Sequence, residues 1–210
     1  MPSSAPPPPA PEEQTLPLTE AERLEREAAR RSLRARLTRG PVLRAVGRAD
    51  TAGMRWVRGL ARSRRATAAV RSYSHLGEHG ALWIVLGLGG VALDARRRRE
   101  WATGLAGIGV AYAVNTSLKQ VARRPRPDFP DLPPLIPTPG PLSFPSSHSA
   151  SSAAALVGFA GLVPTAPLAV AASTMAISRV HLGVHYPSDI VVGASLGVLV
   201  ARGVARALEQ

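Results

Sequence analysis

Between residues 81 and 201 the chain alternates long uncharged runs with short polar clusters. The uncharged runs are Ala81–Leu93, Trp101–Leu118, Ser149–Ser178 and Ile190–Ala201. Apolar runs with charge gathered at their ends predict helices that cross a bilayer. One run is too long for a single span. As one helix the thirty residues of 149–178 would rise about 45 Å, against a hydrocarbon core of about 30 Å. Its middle, "GLVPTAP" at 161–167, carries Pro164 and Pro167, which disfavour a continuous helix. The run therefore divides. Five spans are predicted, at roughly 78–94, 101–119, 148–163, 166–179 and 188–206. "GLGG", "GLAGIG" and "SASSAAA" supply small residues that let helices approach closely in lipid. A soluble bundle of buried helices is the alternative reading of the same runs.

The first third of the chain has a different pattern. Residues 1–18 are proline-rich, cannot build a core and are expected to be disordered; they have no apolar core of a secretory signal. A charged helix is predicted from Thr19, with Glu22 completing a capping box and Gly40-Pro41 ending it. Residues 42–63 mix Val42, Leu43, Val46, Met54, Trp56, Val57 and Leu60 with arginines. That mixture is too polar to span and suits a helix lying on an anionic membrane surface. A nucleic-acid arm would also be rich in arginine, but no binding module accompanies it. The expected organisation is a tail over 1–18, basic amphipathic helices at the membrane surface over 19–75, and a membrane domain over 76–210. The fold class is all-α: an integral membrane bundle of about five spans.

Composition sharpens this picture in two places. The 210 residues include no cysteine, which excludes disulfides and cysteine-ligated zinc. Of the 26 basic residues only Lys119 is a lysine, and the net charge is +12. Residues 1–80 alone hold 15 arginines, which by the positive-inside rule favours a cytoplasmic face for the tail; "ARRRRE" at 95–100 favours the opposite orientation. The protein is expected to be a multi-pass component of the cell membrane, with either orientation open.

With five spans, the end of span 2, the start of span 3 and the link between spans 4 and 5 share one face. Three polar clusters fall there: "KQVARRPRP" at 119–127, "FPSSHS" at 144–149 and "RVHLGVHYPSD" at 179–189. Together they offer Lys119, Arg126 and Arg179 as cations, with Arg123 and Arg124 nearby, Ser146, two histidines and one carboxylate. Such a set suits a phosphoryl group, whose oxygens carry charge in the transition state. Ser146 and Ser147 open a helix whose first N–H groups can bind the same anion.

These residues resemble the motifs of the type 2 phosphatidic acid phosphatases, membrane relatives of the vanadium haloperoxidases. Lysine, six residues, then Arg-Pro matches Lys119, Arg126 and Pro127. Pro-Ser-Gly-His matches Pro145, Ser146 and His148, with Ser147 in place of the glycine. Ser-Arg, five residues, His, three residues, Asp matches Ser178, Arg179, His185 and Asp189. The resemblance covers roughly residues 76–205. It implies that His185 is a nucleophile forming a phosphohistidine, oriented by Asp189, and that His148 is the general acid and then the base. It also implies that Lys119, Arg126, Ser146, Ser147 and Arg179 hold the phosphate, without metal or cofactor.

The implied function is a membrane lipid phosphatase acting on a phosphomonoester or pyrophosphate, with a polyprenyl (pyro)phosphate as the first substrate class. Phosphatidic acid and phosphatidylglycerophosphate are the alternatives. A haloperoxidase shares the pocket chemistry, and a non-catalytic adaptor binding anionic lipid is the alternative from another class. The expected partners are the lipid phosphate and the membrane, with no nucleic acid. His181, His185 and Asp189 also stand at metal-ligand spacing on a helix face. Pro187 and the extended bias of Tyr186 disfavour that helix, so His181 is expected in a loop with the last span starting near Pro187.

Overall fold

The computed structural model describes residues 40–60, 63–138 and 140–209. The proline-rich tail and the helix predicted from Thr19 lie outside the described residues. Among the described residues there are seven α-helices and no strand: α1 Pro41–Leu60, α2 Arg64–Leu76, α3 Ala81–Leu93, α4 Arg98–Ala122, α5 Ser147–Gly158, α6 Thr165–His181 and α7 Pro187–Glu209. A single 3₁₀ turn, Glu78–Gly80, joins α2 to α3.

Local chemistry sets most of these boundaries. Pro41 and Pro187 open α1 and α7, where a missing N–H costs nothing. Ser63 caps α2, its Oγ accepting from the Ala66 N–H at 3.1 Å. The predicted break near 161–167 falls at Phe159–Pro164, where Gly161 takes φ +79° and Ala160 bridges Val163. α5 is therefore shorter than the span expected at 148–163. α2 begins just after the 42–63 stretch read as a surface helix; α1 covers most of that stretch.

α5 is the hub. Seven consecutive residues, Ser149–Ala155, are buried on every side, because α4, α6 and α7 all pack on this helix. Its serines and alanines permit that closeness. Trp83 of α3 donates from Nε1 to Ser152 Oγ at 3.0 Å, satisfying both buried polar groups. At the far end Trp101 and Phe159 meet with ring centroids 5.1 Å apart. Tyr73 of α2 donates to the Ala171 carbonyl of α6 at 2.8 Å.

Gly193 and Gly197, one turn apart on α7, face the start of α5. A Cβ on Gly193 would stand 2.5 Å from the Ser146 carbonyl oxygen, and one on Gly197 would strike that of Ala150. Backbone cannot yield as a flexible side chain can. Gly193→Ala is expected to cost about 1–3 kcal/mol through overpacking, outweighing the gain in helix propensity. Gly203, on the same helix, has open space around it, so Gly203→Ala should stabilise by up to about 1 kcal/mol. Thermal unfolding in detergent should move in opposite directions for the two variants. A Tm for Gly193→Ala at or above wild type would remove this contact as a constraint.

Candidate active site

The loop from Arg123 to Pro145, the start of α5 and the α6–α7 link meet at one end of the bundle. Arg123 caps α4 in a left-handed conformation, φ 48°, turning the chain back over the helix ends. Hydrogen bonds from Arg126 N to Pro141 O at 3.1 Å and from Ser143 N to Arg124 O at 2.8 Å close the loop on itself. Arg58 donates to Pro133 O at 3.0 Å, and Arg71 to Leu135 O at 2.9 Å. Some arginines of the amphipathic segment thus bind the protein's own loop.

His185 stands in the link between α6 and α7 and is only 2% exposed. Its Nδ1 faces Asp189 Oδ2 at 3.4 Å, within ion-pair range though not aligned as a hydrogen bond. Its Nε2 faces Arg126 Nη1 at 3.4 Å. A guanidinium can only donate, so Nε2 must present its lone pair and Nδ1 carries the proton toward Asp189. Burial pulls the His185 imidazole down to about 4, against the pull of the Asp189 carboxylate. The ring is therefore neutral at pH 7, with the Nε2 lone pair directed at Arg126.

Arg126 is fixed by two carbonyls, its Nε donating to Gly140 and its Nη1 to Val184, each at 2.8 Å. Burial lowers the Arg126 pKa from its usual value, as expected for a cation held away from water. Arg179, 5% exposed, donates from Nη1 to Ser74 Oγ at 2.7 Å, while its buried Nε has no partner. Lys119 lies within electrostatic reach of Arg126, Arg179 and Asp189. His148 lies within reach of Arg179, His185 and Lys119, and its Nε2 also has no partner. Cations crowded together with orphaned nitrogens among them have the chemistry to receive an anion.

Ser146 and Ser147 sit at the start of α5. Ser146 is the N-cap, its Oγ accepting from the Ser149 N–H at 3.4 Å, and its own N–H donates to the Asp189 carbonyl at 3.1 Å. Ser147, at the glycine position of the motif, donates from Oγ to Asn115 Oδ1 at 2.7 Å. All eight residues singled out in the sequence are thus brought together.

One expectation is corrected. His181 is not in a loop: it ends α6 and is 4% exposed, because the helix continues past Arg179 for two residues. The turn at Gly183, φ +75°, separates it from His185, and α7 starts at Pro187 as expected. His181, His185 and Asp189 therefore do not share a helix face.

Three participants were missed: Asp50, Asn115 and Ser74. Asp189 Oδ1 also takes Arg124 Nη1 at 2.8 Å, and Arg124 Nη2 reaches Asp50 Oδ2 at 2.7 Å. Asn115 is fully buried beneath Ser147, and Ser74 holds Arg179. Asp50 did have a signal: it is the only acid between Pro41 and Arg65. Asn115 and Ser74 had none, since each is tied to the site only through chain-distant contacts.

An all-helical protein that gathers an Asp-backed histidine, a second histidine and several cations has the parts of a phosphoryl-transfer enzyme. Residues 101–210 match the PAP2 superfamily, and the chain belongs to it. It is 46% identical over 135 residues to decaprenylphosphoryl-5-phosphoribose phosphatase of Mycobacterium tuberculosis, spanning 63% of this chain and 75% of that protein. The phosphatase of the same name from Mycolicibacterium smegmatis is 42% identical over 123 residues, 59% of this chain and 68% of the relative. The transmembrane PAP2-type phosphatidylglycerolphosphate phosphatase of Bacillus subtilis aligns with a TM-score of 0.65 and 29% identity, covering 83% of this chain and 90% of the other. This protein is accordingly a membrane-associated lipid phosphatase, a hydrolase of phosphoric monoesters.

Proposed function

We propose that the protein removes the terminal phosphate of a polyprenyl-linked phosphomonoester, the substrate class for which its mycobacterial relatives are named. The observation that carries the mechanism is the polarity of His185, with Nε2 open toward Arg126 and Nδ1 backed by Asp189. Nε2 attacks phosphorus, the P–O bond to the lipid breaks, and His148 gives its proton to the departing alkoxide. His148 then takes a proton from water, which attacks the phosphohistidine and releases inorganic phosphate. Lys119, Arg126 and Arg179 neutralise the phosphoryl oxygens. The Ser147 N–H, at the opening of α5, adds a helix-terminus donor, and Ser146 has its hydroxyl proton left to give.

The membrane arrangement belongs to the same proposal. Five spans over the phosphatase unit 76–210 would put the site at one surface of the cell membrane. α7 is long and apolar enough to cross a membrane, and α2 with the 3₁₀–α3 segment would make another such length, bent by 50°. Exposed Val85 and Leu88 on α3, Val170 on α6, and Val191 and Leu199 on α7 give outward faces suited to lipid.

Phosphate release by the purified protein across a panel of lipid phosphates tests the substrate. A polyprenyl-linked phosphoribose or polyprenyl phosphate should be hydrolysed with the highest kcat/KM. A preference for phosphatidylglycerophosphate, the substrate in the name of the Bacillus protein, would replace this reading. The cations supply the charge that a metal would otherwise bring. Activity should therefore survive EDTA, and vanadate should inhibit as a transition-state mimic. Loss on chelation, restored by a divalent ion, would contradict the mechanism.

A further inference from the structure

We propose that Asp50 is a positioning residue for this reaction, setting through Arg124 how strongly Asp189 supports His185. The inference rests on the proposed role of His185 as nucleophile. Asp50, on the amphipathic helix α1, is only 2% exposed. Its Oδ2 takes Arg124 Nη2 at 2.7 Å, and its Oδ1 takes the Ser188 N–H at 2.8 Å. Ser188 Oγ completes the knot, accepting from Arg124 Nη1 and donating to Asp50 Oδ2, each at 2.7 Å. The guanidinium lies over the Tyr186 ring, 3.9 Å from its centroid. Arg124 Nη1 also donates to Asp189 Oδ1 at 2.8 Å, and the other oxygen of that carboxylate faces His185. A single guanidinium is thus shared between two buried carboxylates, one on α1 and one behind the reacting ring.

Sharing matters because Asp189 has two claims on its charge. As Nε2 bonds to phosphorus, the His185 ring becomes cationic, and Asp189 must balance it. Arg124 competes for the same carboxylate. Asp50 draws part of the Arg124 charge to itself and so leaves Asp189 free to act on His185. Without Asp50, Arg124 would pair with Asp189 alone and hold it away from the ring. Nothing else near His185 changes: Arg126 in the loop, Arg179 on α6, His148 on α5 and Asp189 on α7 face it in either case, and Lys119 on α4 faces Asp189.

The test measures kcat, KM and the acid limb of kcat/KM on a polyprenyl monophosphate, with thermal unfolding followed in parallel. Asp50→Asn should lower kcat about tenfold with KM within about twofold of wild type. Its acid limb should move to lower pH, because the imidazolium loses support. Arg124→Gln should move the limb the other way, upward by about one pH unit, because Asp189 loses its competing cation. In the Arg124→Gln background, Asp50→Asn should cost no further kcat. Opposite limb shifts are the signature, since a clasp that only holds α1 in place would move neither. Unchanged kcat in Asp50→Asn, an equal loss in the Arg124→Gln background, or two unmoved limbs would each overturn the proposal. Should Asp50→Asn fail to fold, Asp50→Ser, which also removes the charge, takes its place, and an unmoved limb there would overturn the proposal. His185→Ala runs beside these variants, and activity surviving there would refute the nucleophile assignment itself rather than the role of Asp50.

Discussion

His185→Ala is expected to abolish phosphate release from the lipid substrate, with a loss of at least about 10⁴-fold in kcat. The ring is buried, neutral and aimed by contacts on both nitrogens, and no neighbouring side chain can take its place. Lys119, Arg126 and Arg179 would remain and could still bind the phosphate, so KM for substrate should change far less than kcat. His148→Ala should behave differently. A lipid alkoxide is a poor leaving group, and without a proton donor its departure is slow, so turnover on lipid falls steeply. An activated aryl phosphate needs little protonation to leave. With that substrate His148→Ala should still phosphorylate His185, then stall because no base activates water. The two histidines are therefore separable by leaving group, which a shared role in merely binding phosphate would not allow.

Asp189→Asn is expected to cost about 10⁴-fold in kcat with little change in the fold. Asp189 uses both oxygens: Oδ1 accepts from Arg124, while Oδ2 accepts from the Tyr186 N–H and faces His185 Nδ1. An asparagine has only one acceptor oxygen. If that oxygen keeps Arg124, the amide nitrogen faces His185 and favours the tautomer with Nε2 protonated, which cannot attack. If the amide turns over, two donors face each other at Arg124. Burial leaves no water to relieve either arrangement. Measured on aryl phosphate, Asp189→Asn should lose phosphorylation rate rather than affinity; a kcat within tenfold of wild type would show that Asp189 does not set the His185 tautomer.

How much of this was legible beforehand follows from where each interaction lives. Lys119, Arg126, His148, Arg179, His185 and Asp189 sit at fixed spacings within three short segments. Their convergence followed from counting helices across apolar runs. Pro187 and the "GLVPTAP" break were readable because proline acts locally. His181 was misplaced because a helix end depends on two residues more or less, which pattern does not fix. Asp50, Ser74 and Asn115 escaped for another reason: their partners are 74, 105 and 32 residues away, and only packing brings them together. The arginines of α1 and α2 were read for lipid, while Arg58 and Arg71 are spent on carbonyls of the long loop. Charge runs report that a partner is needed, not which one.

The central claim is that phosphate passes through His185, and one measurement meets it directly. His148→Ala, mixed rapidly with an aryl phosphate that the wild-type protein turns over, should release close to one equivalent of aryl alcohol in a burst. Acid-labile phosphate should then be recovered on the peptide that carries His185, with no burst and no label in His185→Ala. A burst in His185→Ala, or phosphate recovered on His148 in a protein that retains it, would contradict the account.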